Sequence, residues 1–230
     1  MPCILHIETS QSVCSVALSQ DGAVIFHEED REGHQHSQKS AVFARDALSF
    51  AESHAIPLDA VAVSQGPGSY TGLRIGFSLA KGVAYGRGVS LVAVPTLELL
   101  CVPVLLFHEE IREDALLAPM IDARRMEVYT ALYDRSLREV EEPRAEVIDE
   151  NSFLNILKER QVCFFGDGAG KCRKVIIHPN ALFIEGVEPL AKHMMPLAER
   201  RLARGETEDV AYSVPFYLKE FQATVPKRLI

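Results

Sequence analysis

The sequence predicts an α/β protein built from two copies of one unit, and three observations support this fold class. A strand-turn-strand pattern at residues 7–10 returns at residues 121–124. An apolar run followed by G-x-G occurs in both halves, at residues 63–68 and 165–168. The order of hairpin, helix, strand and G-x-G is also the same in both halves. Such self-similarity indicates an internal duplication.

The elements of the first half follow from hydrophobic periodicity and turn residues. Alternating apolar residues predict three strands, at residues 4–8, 12–19 and 23–29. Gln20-Asp21-Gly22 is typical of a hairpin turn. Ser37 is a suitable N-cap for a helix that ends near His54. A strand, a helix, a strand and a helix then follow, at residues 60–64, 71–86, 90–94 and from Thr96 onward.

Two β-β-β-α-β-α units that face each other describe the actin-like, ribonuclease H-like (ASKHA) superfold, and this is the fold that we predict. The N-terminal subdomain is expected at residues 1–108 and the C-terminal subdomain at residues 109–230. The last ~20 residues are expected to pack back on the N-terminal half. In this superfold, the first hairpin of each half wraps the phosphates of ATP. Such a turn needs glycine, because the backbone must approach the phosphate closely.

Composition excludes several classes of protein. The net charge of −8 argues against unaided nucleic-acid binding, which usually requires a basic patch. No apolar run approaches the roughly 18 residues of a membrane span, and the N-terminus lacks a basic leader, so we expect a cytoplasmic protein. The five cysteines are odd in number and form no C-x-x-C, which predicts buried thiols in a reducing compartment.

The two phosphate-binding hairpins of the superfold are altered in this sequence. The first turn reads E-T-S-Q and the second D-A-R-R, and neither contains glycine. Glu8 and Asp122 occupy equivalent places and are the weak candidates for binding Mg²⁺ and ATP. Because Met126 and Glu127 fill the second turn, a degenerate cleft is the better interpretation. We therefore expect no cofactor.

The stretch G-P-G-S-Y-T-G at residues 66–72 resembles a phosphate loop but lacks the closing G-K-[ST]. Its glycines have a structural use instead. Gly72 and Gly76 are expected to let the helix pack closely on the sheet. The helix N-terminus near Thr71 is expected to attract anions only weakly. Arg74 is expected to be a structural brace rather than a catalytic residue.

The sequence contains no nucleophile constellation and no H-E-x-x-H or H-x-x-x-H pair, so we expect no catalytic residue and no metal site. The closest approach to a metal site is His34 and His36 beside three acids. A metal-dependent peptidase at these histidines is the weakest alternative, and a solvated loop is the default. An actin-like phosphotransferase that uses Glu8 and Asp122 is the second alternative.

Several stretches together resemble the TsaB (YeaZ) family. The first 135 residues or so carry the specific motifs. The remaining residues resemble the family less closely but follow the same order along the chain. The motifs are I-L-H-I-E-T-S, V-S-Q-G-P-G-S-Y-T-G-L-R-I-G, V-P-T-L-E and I-D-A-R-R-M-E-V-Y. The family usually opens with I-D-T-S, and Glu8 replaces that aspartate here. The longer side chain makes a carried-over metal geometry doubtful.

The resemblance implies a non-catalytic dimerisation subunit, an inactive paralogue of TsaD. TsaD is the actin-like partner that transfers a threonylcarbamoyl group to the adenosine next to the tRNA anticodon. TsaE, an ATPase, joins the assembly, and tRNA is expected to contact this chain only indirectly. TsaD carries an H-x-x-x-H metal pair that this sequence lacks.

The resemblance also implies a partner surface on the first helix and on the helix after G-P-G-S-Y-T-G. Two apolar stripes run along the first helix, which is typical of a helix covered on both sides. Small alanines permit close helix approach. The same stripe would pair two copies when the partner is absent. The expected interface residues are Ser37, Ala41, Ala44, Ala47, Leu48, Ala51, Thr71, Arg74 and Ile75.

Overall fold

The computed structural model describes residues 2–32 and 36–219. Its ten strands are β1 (Cys3–Glu8), β2 (Cys14–Gln20), β3 (Ala23–Asp30), β4 (Ala60–Gly66), β5 (Ser90–Pro95), β6 (Leu116–Asp122), β7 (Glu127–Tyr133), β8 (Glu139–Val147), β9 (Val162–Phe165) and β10 (Ala181–Phe183). Its six α-helices are α1 (His36–Ser53), α2 (Tyr70–Arg87), α3 (Thr96–Phe107), α4 (Leu154–Leu157), α5 (Ala169–Cys172) and α6 (Met195–Ala203). These counts refer to the described residues.

The two sheets have the same topology, which confirms the predicted duplication and the actin-like fold class. The first sheet has the order β3-β2-β1-β4-β5, and the second has the order β8-β7-β6-β9-β10. In each sheet the first strand pairs antiparallel with the second strand and parallel with the fourth. Glu8 and Asp122 end equivalent strands, as the sequence repeat predicts.

Helices α3 and α6 are shared between the halves. Apolar residues of α3 pack in one cluster with the second sheet, while α6 packs with α3 against the first sheet. Helix α3 therefore lies between the two sheets, and α6 lies beside it on the first sheet. The central strands β1 and β4 are buried along almost their whole length, which agrees with strands that are covered on both faces.

The outer faces of the two sheets are covered differently. Helices α1 and α2, of 18 residues each, cover the first sheet. Helices α4 and α5 have four residues each, and loop side chains complete the cover of the second sheet. The second half therefore departs from the full-length helices that a repeated unit predicts. One cause is visible before α4: the Asp149 carboxylate accepts hydrogen bonds from the amides of Asn151 and Ser152, and the resulting turn delays the helix until Leu154.

The end of the described chain forms a segment that we call the C-terminal strap, residues 211–219. Lys81 of α2 donates to the carbonyl oxygens of Ala211 and Ser213, and the amide of Phe216 donates to the Gln65 carbonyl. Lys219 pairs with Glu127 in the second half. The rest of the tail for which we predicted packing on the N-terminal half, residues 220–230, lies outside the described residues.

All five cysteines are buried and free of disulfides, as predicted. Burial raises the pKa of each thiol, so none of them is activated as a nucleophile. Within residues 2–32 and 36–219, no helix combines the length and the apolar character that crossing a membrane demands.

Candidate functional site

A cleft of about 900 Å³ lies between the two halves, where an actin-like protein would hold a nucleotide. The β1–β2 turn and the start of α2 form one wall, and the β6–β7 turn forms the other. The strap lines its rim. Ser37, Thr71 and Ile75, three of the predicted interface residues, also line this cleft. The cleft is therefore continuous with the surface formed by α1 and α2.

Glu8 does not face the cleft, and the predicted pairing of Glu8 with Asp122 is wrong. The Glu8 side chain is completely buried beneath the β1–β2 turn, and its Oε1 accepts a hydrogen bond of 2.5 Å from the Ser10 amide. Burial raises the pKa of Glu8 to about 7, although the hydrogen bond from the Ser10 amide opposes the shift. An internal carboxyl group of this kind braces the turn and is not available to a metal ion.

Asp122 is half-exposed, and its carboxylate forms an ion pair with Lys171. Burial alone would raise the pKa of Asp122, but hydrogen bonds from Lys171 and from the Arg124 amide lower it. Its backbone amide donates to Oδ1 of Asp167 at 2.9 Å. The acid that the structure brings beside Asp122 is therefore Asp167, which follows β9 in the sequence F-G-D-G.

Gln11 closes the floor of the cleft. Its Nε2 lies 3.4 Å from Oδ1 of Asp167, and this contact joins the two halves. Burial raises the pKa of Asp167, with a further contribution from the nearby charge of Asp122. The Gln11 amide thus occupies the gap between the two turns. Sequence reasoning missed both residues, although the Asp between two glycines was a visible signal.

The backbone of the two turns does not suit a triphosphate. Phosphate-binding turns hold their ligand with outward N–H groups. In the first turn the Ser10 amide donates to the Glu8 carboxylate. In the second turn the Arg124 amide donates to Asp122 and the Ala123 amide donates to the Glu127 carbonyl. The residues present therefore do not fit a phosphotransferase site.

The G-P-G-S-Y-T-G stretch packs against the β1–β2 turn, as predicted for its glycines. The Ser69 amide donates to the Ser10 carbonyl at 2.7 Å, and Ser69 caps α2 by accepting from the Gly72 amide. A Cβ on Gly72 would overlap the Thr9 carbonyl oxygen, and a Cβ on Gly76 would overlap the Thr9 hydroxyl. The first helical turns of α2 thus occupy the space beside the hairpin.

The predicted interface on α1 needs a correction. Ala44, Ala47 and Ala51 lie in the core between α1 and the first sheet, and Ala47 is 0 % exposed. These three residues form the inner face of α1 and are not available to a partner. Leu48 is half-buried against the same core, whereas Ser37 and Ala41 are exposed.

Helix α2 carries an exposed row of residues that recur every three or four positions. We call this row the α2 outer stripe; its members are Thr71, Arg74, Ser78, Gly82, Tyr85 and Gly86. Tyr85 is 83 % exposed. No atom of the described residues lies within 4 Å of a Cβ placed on Gly82 or Gly86. Glycine lowers helix stability, and contacts with the described residues do not account for glycine at these two positions.

Arg74 stacks on aromatic rings rather than pairing with an acid. Its guanidinium lies 4.1 Å from the centre of the Tyr70 ring, and its Nε lies 3.3 Å from the Tyr217 hydroxyl. Tyr70 and Tyr217 have ring centres 4.9 Å apart. Arg74 therefore braces the strap against the start of α2.

The histidines proposed for a peptidase lie at the edge of what can be described. His34 lies outside the described residues, as does the side chain of His36. Elsewhere in residues 2–32 and 36–219, no three His, Cys, Asp or Glu side chains form a group that could hold a metal ion.

Comparison with known proteins identifies relatives over nearly the whole chain. A family model described as "TsaD: tRNA N6-adenosine threonylcarbamoyltransferase" matches residues 30–227. The Escherichia coli K12 protein named tRNA threonylcarbamoyladenosine biosynthesis protein TsaB is 31 % identical, with 94 % of each chain covered. The Bacillus subtilis 168 protein of the same name is 32 % identical over 96 % of this chain and 95 % of the relative.

A solved structure with the same fold agrees with these relatives. The crystal structure of a Pseudomonas aeruginosa protein described as similar to the peptidase YeaZ superposes with a TM-score of 0.81. It is 25 % identical in sequence and covers 95 % of this chain and 100 % of its own. The fold and the sequence therefore point to the same set of relatives.

Proposed function

The chain belongs to the family covered by the TsaD model and, within it, to the TsaB proteins, and on this premise we propose that it is a non-catalytic subunit in tRNA threonylcarbamoyladenosine synthesis. Its role is to bind a TsaD-like actin-fold subunit, which carries out the transfer to the adenosine beside the anticodon. The protein acts in the cytoplasm and needs no cofactor of its own.

The α2 outer stripe is the observation that carries this proposal. Gly82 and Gly86 keep the helix surface flat where none of the described residues packs on it. Small residues at such positions let a second helix approach closely. Tyr85 adds an exposed aromatic ring, a residue type enriched in the energetic centres of interfaces. Ala41 of α1 extends this surface, and we call the α2 outer stripe together with Ala41 the docking face.

The cleft supports the non-catalytic part of the proposal. The turn amides donate within the chain, and Gln11 approaches Asp167 where a metal-bound phosphate would lie. A protein whose cleft does not fit a metal-bound phosphate contributes to the reaction through its surface. The net charge of −8 favours indirect contact with tRNA, through the partner.

Two further parts of the assembly follow from the same proposal. A TsaE-like ATPase joins the complex of this chain and its partner. When the partner is absent, the docking face pairs two copies of this chain, because a two-fold axis brings the same exposed helix surface of both copies together.

The test is a binding measurement with Gly82→Arg. None of the described residues lies within 4 Å of a Cβ placed on Gly82, and replacing a helical glycine should raise stability by about 0.5–1 kcal/mol. At a packed helix seam, the same arginine would be buried without a counter-charge and should weaken binding at least tenfold. Isothermal titration against a purified TsaD-like subunit measures both affinity and stoichiometry.

Gly170→Arg is the matched control. Gly170 is also exposed, with open space around its Cβ position, but it lies in α5 of the second half. We expect this variant to bind the partner with unchanged affinity. Unchanged binding by Gly82→Arg, or equal loss in both variants, would place the partner elsewhere.

A further inference from the structure

The C-terminal strap follows one flank of α2 for more than half of that helix. Lys81 donates to the carbonyl oxygens of the two residues on either side of Tyr212, whereas Tyr217 packs on Tyr70 and contacts Arg74. Positions 70, 74 and 81 are four and seven residues apart, so they lie on one side of the helix. The strap therefore borders the α2 outer stripe, with its chain direction opposite to that of α2.

The strap is extended where it passes α2. From Lys81 to Tyr70 the helix axis advances by about 16.5 Å, at about 1.5 Å per residue. The five steps from Tyr212 to Tyr217 cover about 17 Å only in a fully extended chain. Because extended backbone directs successive side chains to opposite sides, the strap has an inward and an outward set of residues.

The outward set of the strap is apolar and exposed. Tyr212 and Val214 are 84 % and 69 % exposed. The inward set is partly buried and consists of Ser213, Pro215 and Tyr217. The backbone between these sets is anchored by Lys81 and by the Gln65 carbonyl. An anchored segment loses little conformational freedom on binding, which favours its use as a binding surface.

The α2 outer stripe alone is too small for a stable complex. One side of this 18-residue helix measures about 27 Å by about 11 Å, or about 300 Å². A standard protein–protein interface buries about 800 Å² on each partner. A stable complex therefore needs a neighbouring element in addition to α2.

The strap is the apolar neighbour of the stripe. Helix α1 lies on the other flank, where Arg87 of α2 pairs with Glu52, and the exposed residues of α1 are mostly polar. The strap has no charged residue from position 211 to position 218. Depletion of charge is typical of the centre of an interface, and tyrosine is enriched among the residues that dominate binding energies.

We propose that the TsaD-like subunit covers the C-terminal strap together with the α2 outer stripe, and that its surface is apolar where it meets Tyr212 and Val214. This inference rests on the proposed function, because it assigns the strap to the same partner. The strap thereby contributes to the complex directly, in addition to lining the cleft.

The test is the affinity of the double variant Tyr212→Ser with Val214→Ser for a purified TsaD-like subunit, measured by isothermal titration. Both side chains face outward, so the strap should stay in place, and the loss of apolar contact should weaken binding at least tenfold. The matched control is Ile177→Ser with Val140→Ser, which removes side chains that are 84 % and 52 % exposed in the second half. We expect the control to bind with wild-type affinity.

Gly82→Arg, measured beside these variants, separates the two proposals. Weakened binding of Gly82→Arg with wild-type affinity of the strap variant would overturn the inference about the strap and leave the docking face in place. Wild-type affinity of both would overturn the docking face as well. An equal loss in the strap variant and in its control would also overturn the assignment of the strap.

Hydroxyl-radical footprinting of the unsubstituted chain tests the same point without a variant. We expect partner binding to lower the oxidation of Tyr212 at least twofold, whereas Ile177, which is equally exposed, should react as before. Unchanged oxidation of Tyr212 would overturn the proposal. Protection by added copies of this chain but not by the partner would assign the strap to a homodimer and would overturn it too.

Discussion

The N-terminal and C-terminal halves share one sheet topology but differ in what covers the outer face. The first sheet is covered by two 18-residue helices, α1 and α2. The equivalent helices of the second half, α4 and α5, have four residues each. In both halves, glycines near the end of the fourth strand lie close to the backbone of the first strand or of the turn that follows the first strand. The packing of the sheets is thus retained while the outer layer differs.

This difference is the reason for proposing an interaction surface on the first half. The second half buries its outer apolar surface with loop residues such as Ile148, Phe153 and Ile176, and needs no long helices for stability. The first half keeps two long helices whose inner residues pack in the core and whose outer residues do not. The outer residues of α1 and α2 are therefore available for the docking face that we propose.

Within the outer layer of the first half, substitutions on the inner face of α1 should destabilise the protein most. Ala47→Arg places a charge against the core of the first half and should cost more than about 4 kcal/mol, enough to unfold the protein. Ala41→Arg, on the exposed side of the same helix, should change stability by less than about 0.5 kcal/mol. Urea denaturation followed by circular dichroism distinguishes the two. Equal effects would mean that the faces of α1 are assigned wrongly.

Glu8 should make stability depend on pH. Its pKa is about 7 in the folded protein and near 4.5 in the unfolded chain, so the folded state holds the proton more tightly. Stability should therefore fall as the pH rises from about 4.5 to 7, by about 3 kcal/mol in total. Glu8→Gln keeps an acceptor for the Ser10 amide and lacks this dependence.

The measurement for Glu8 is the difference in unfolding free energy between Glu8→Gln and the wild type at several pH values. Burial lowers the pKa of His6 to about 3 and that of His193 to about 4, so these groups act in the opposite direction at acidic pH. Their contributions are common to both proteins and cancel in the difference. A difference that stays constant from pH 4 to pH 8 would contradict a buried, uncharged Glu8.

Close glycine packing should matter equally in both halves. Gly72→Ala would force a methyl group against the Thr9 carbonyl oxygen. Gly166→Ala would force one against the Met120 carbonyl oxygen, and the φ of Gly166 itself is +96°. Each substitution should cost about 2 kcal/mol. Thermal unfolding measures both. A neutral result at Gly166 alone would show that only the first half depends on this contact.

The smallest expected effect is a gain in stability. Gly82→Ala fills open space on the α2 outer stripe and should stabilise the isolated protein by about 1 kcal/mol. The same denaturation assay detects it. A loss of stability would mean that Gly82 has a packing role within the chain.

Most of the fold could be predicted from the sequence, because its signals are local. The strands and long helices of the first half lie within two residues of their predicted bounds, and the repeated turn at Glu8 and Asp122 located the duplication. The short helices α4 and α5 were not anticipated, since a repeat predicts equal elements, whereas loops can complete the cover of a sheet.

The site was harder to predict, because its contacts are long-range. Gln11 and Asp167 meet although they are 156 positions apart, and no spacing signals such a contact. The orientation of α1 was missed for another reason. Its alanines form apolar stripes on more than one side, so periodicity alone could not say that Ala44, Ala47 and Ala51 face inward.

The central claim is that this chain supports threonylcarbamoylation through its docking face and not through its cleft. The direct measurement is modified adenosine formed by a reconstituted mixture of this chain, TsaD-like and TsaE-like subunits, tRNA and substrates. We predict that Asp122→Asn, which keeps the acceptor for the Arg124 amide, supports the wild-type rate, and that Gly82→Arg lowers it at least tenfold. Full activity of Gly82→Arg, together with an inactive Asp122→Asn that still binds its partner, would contradict the claim.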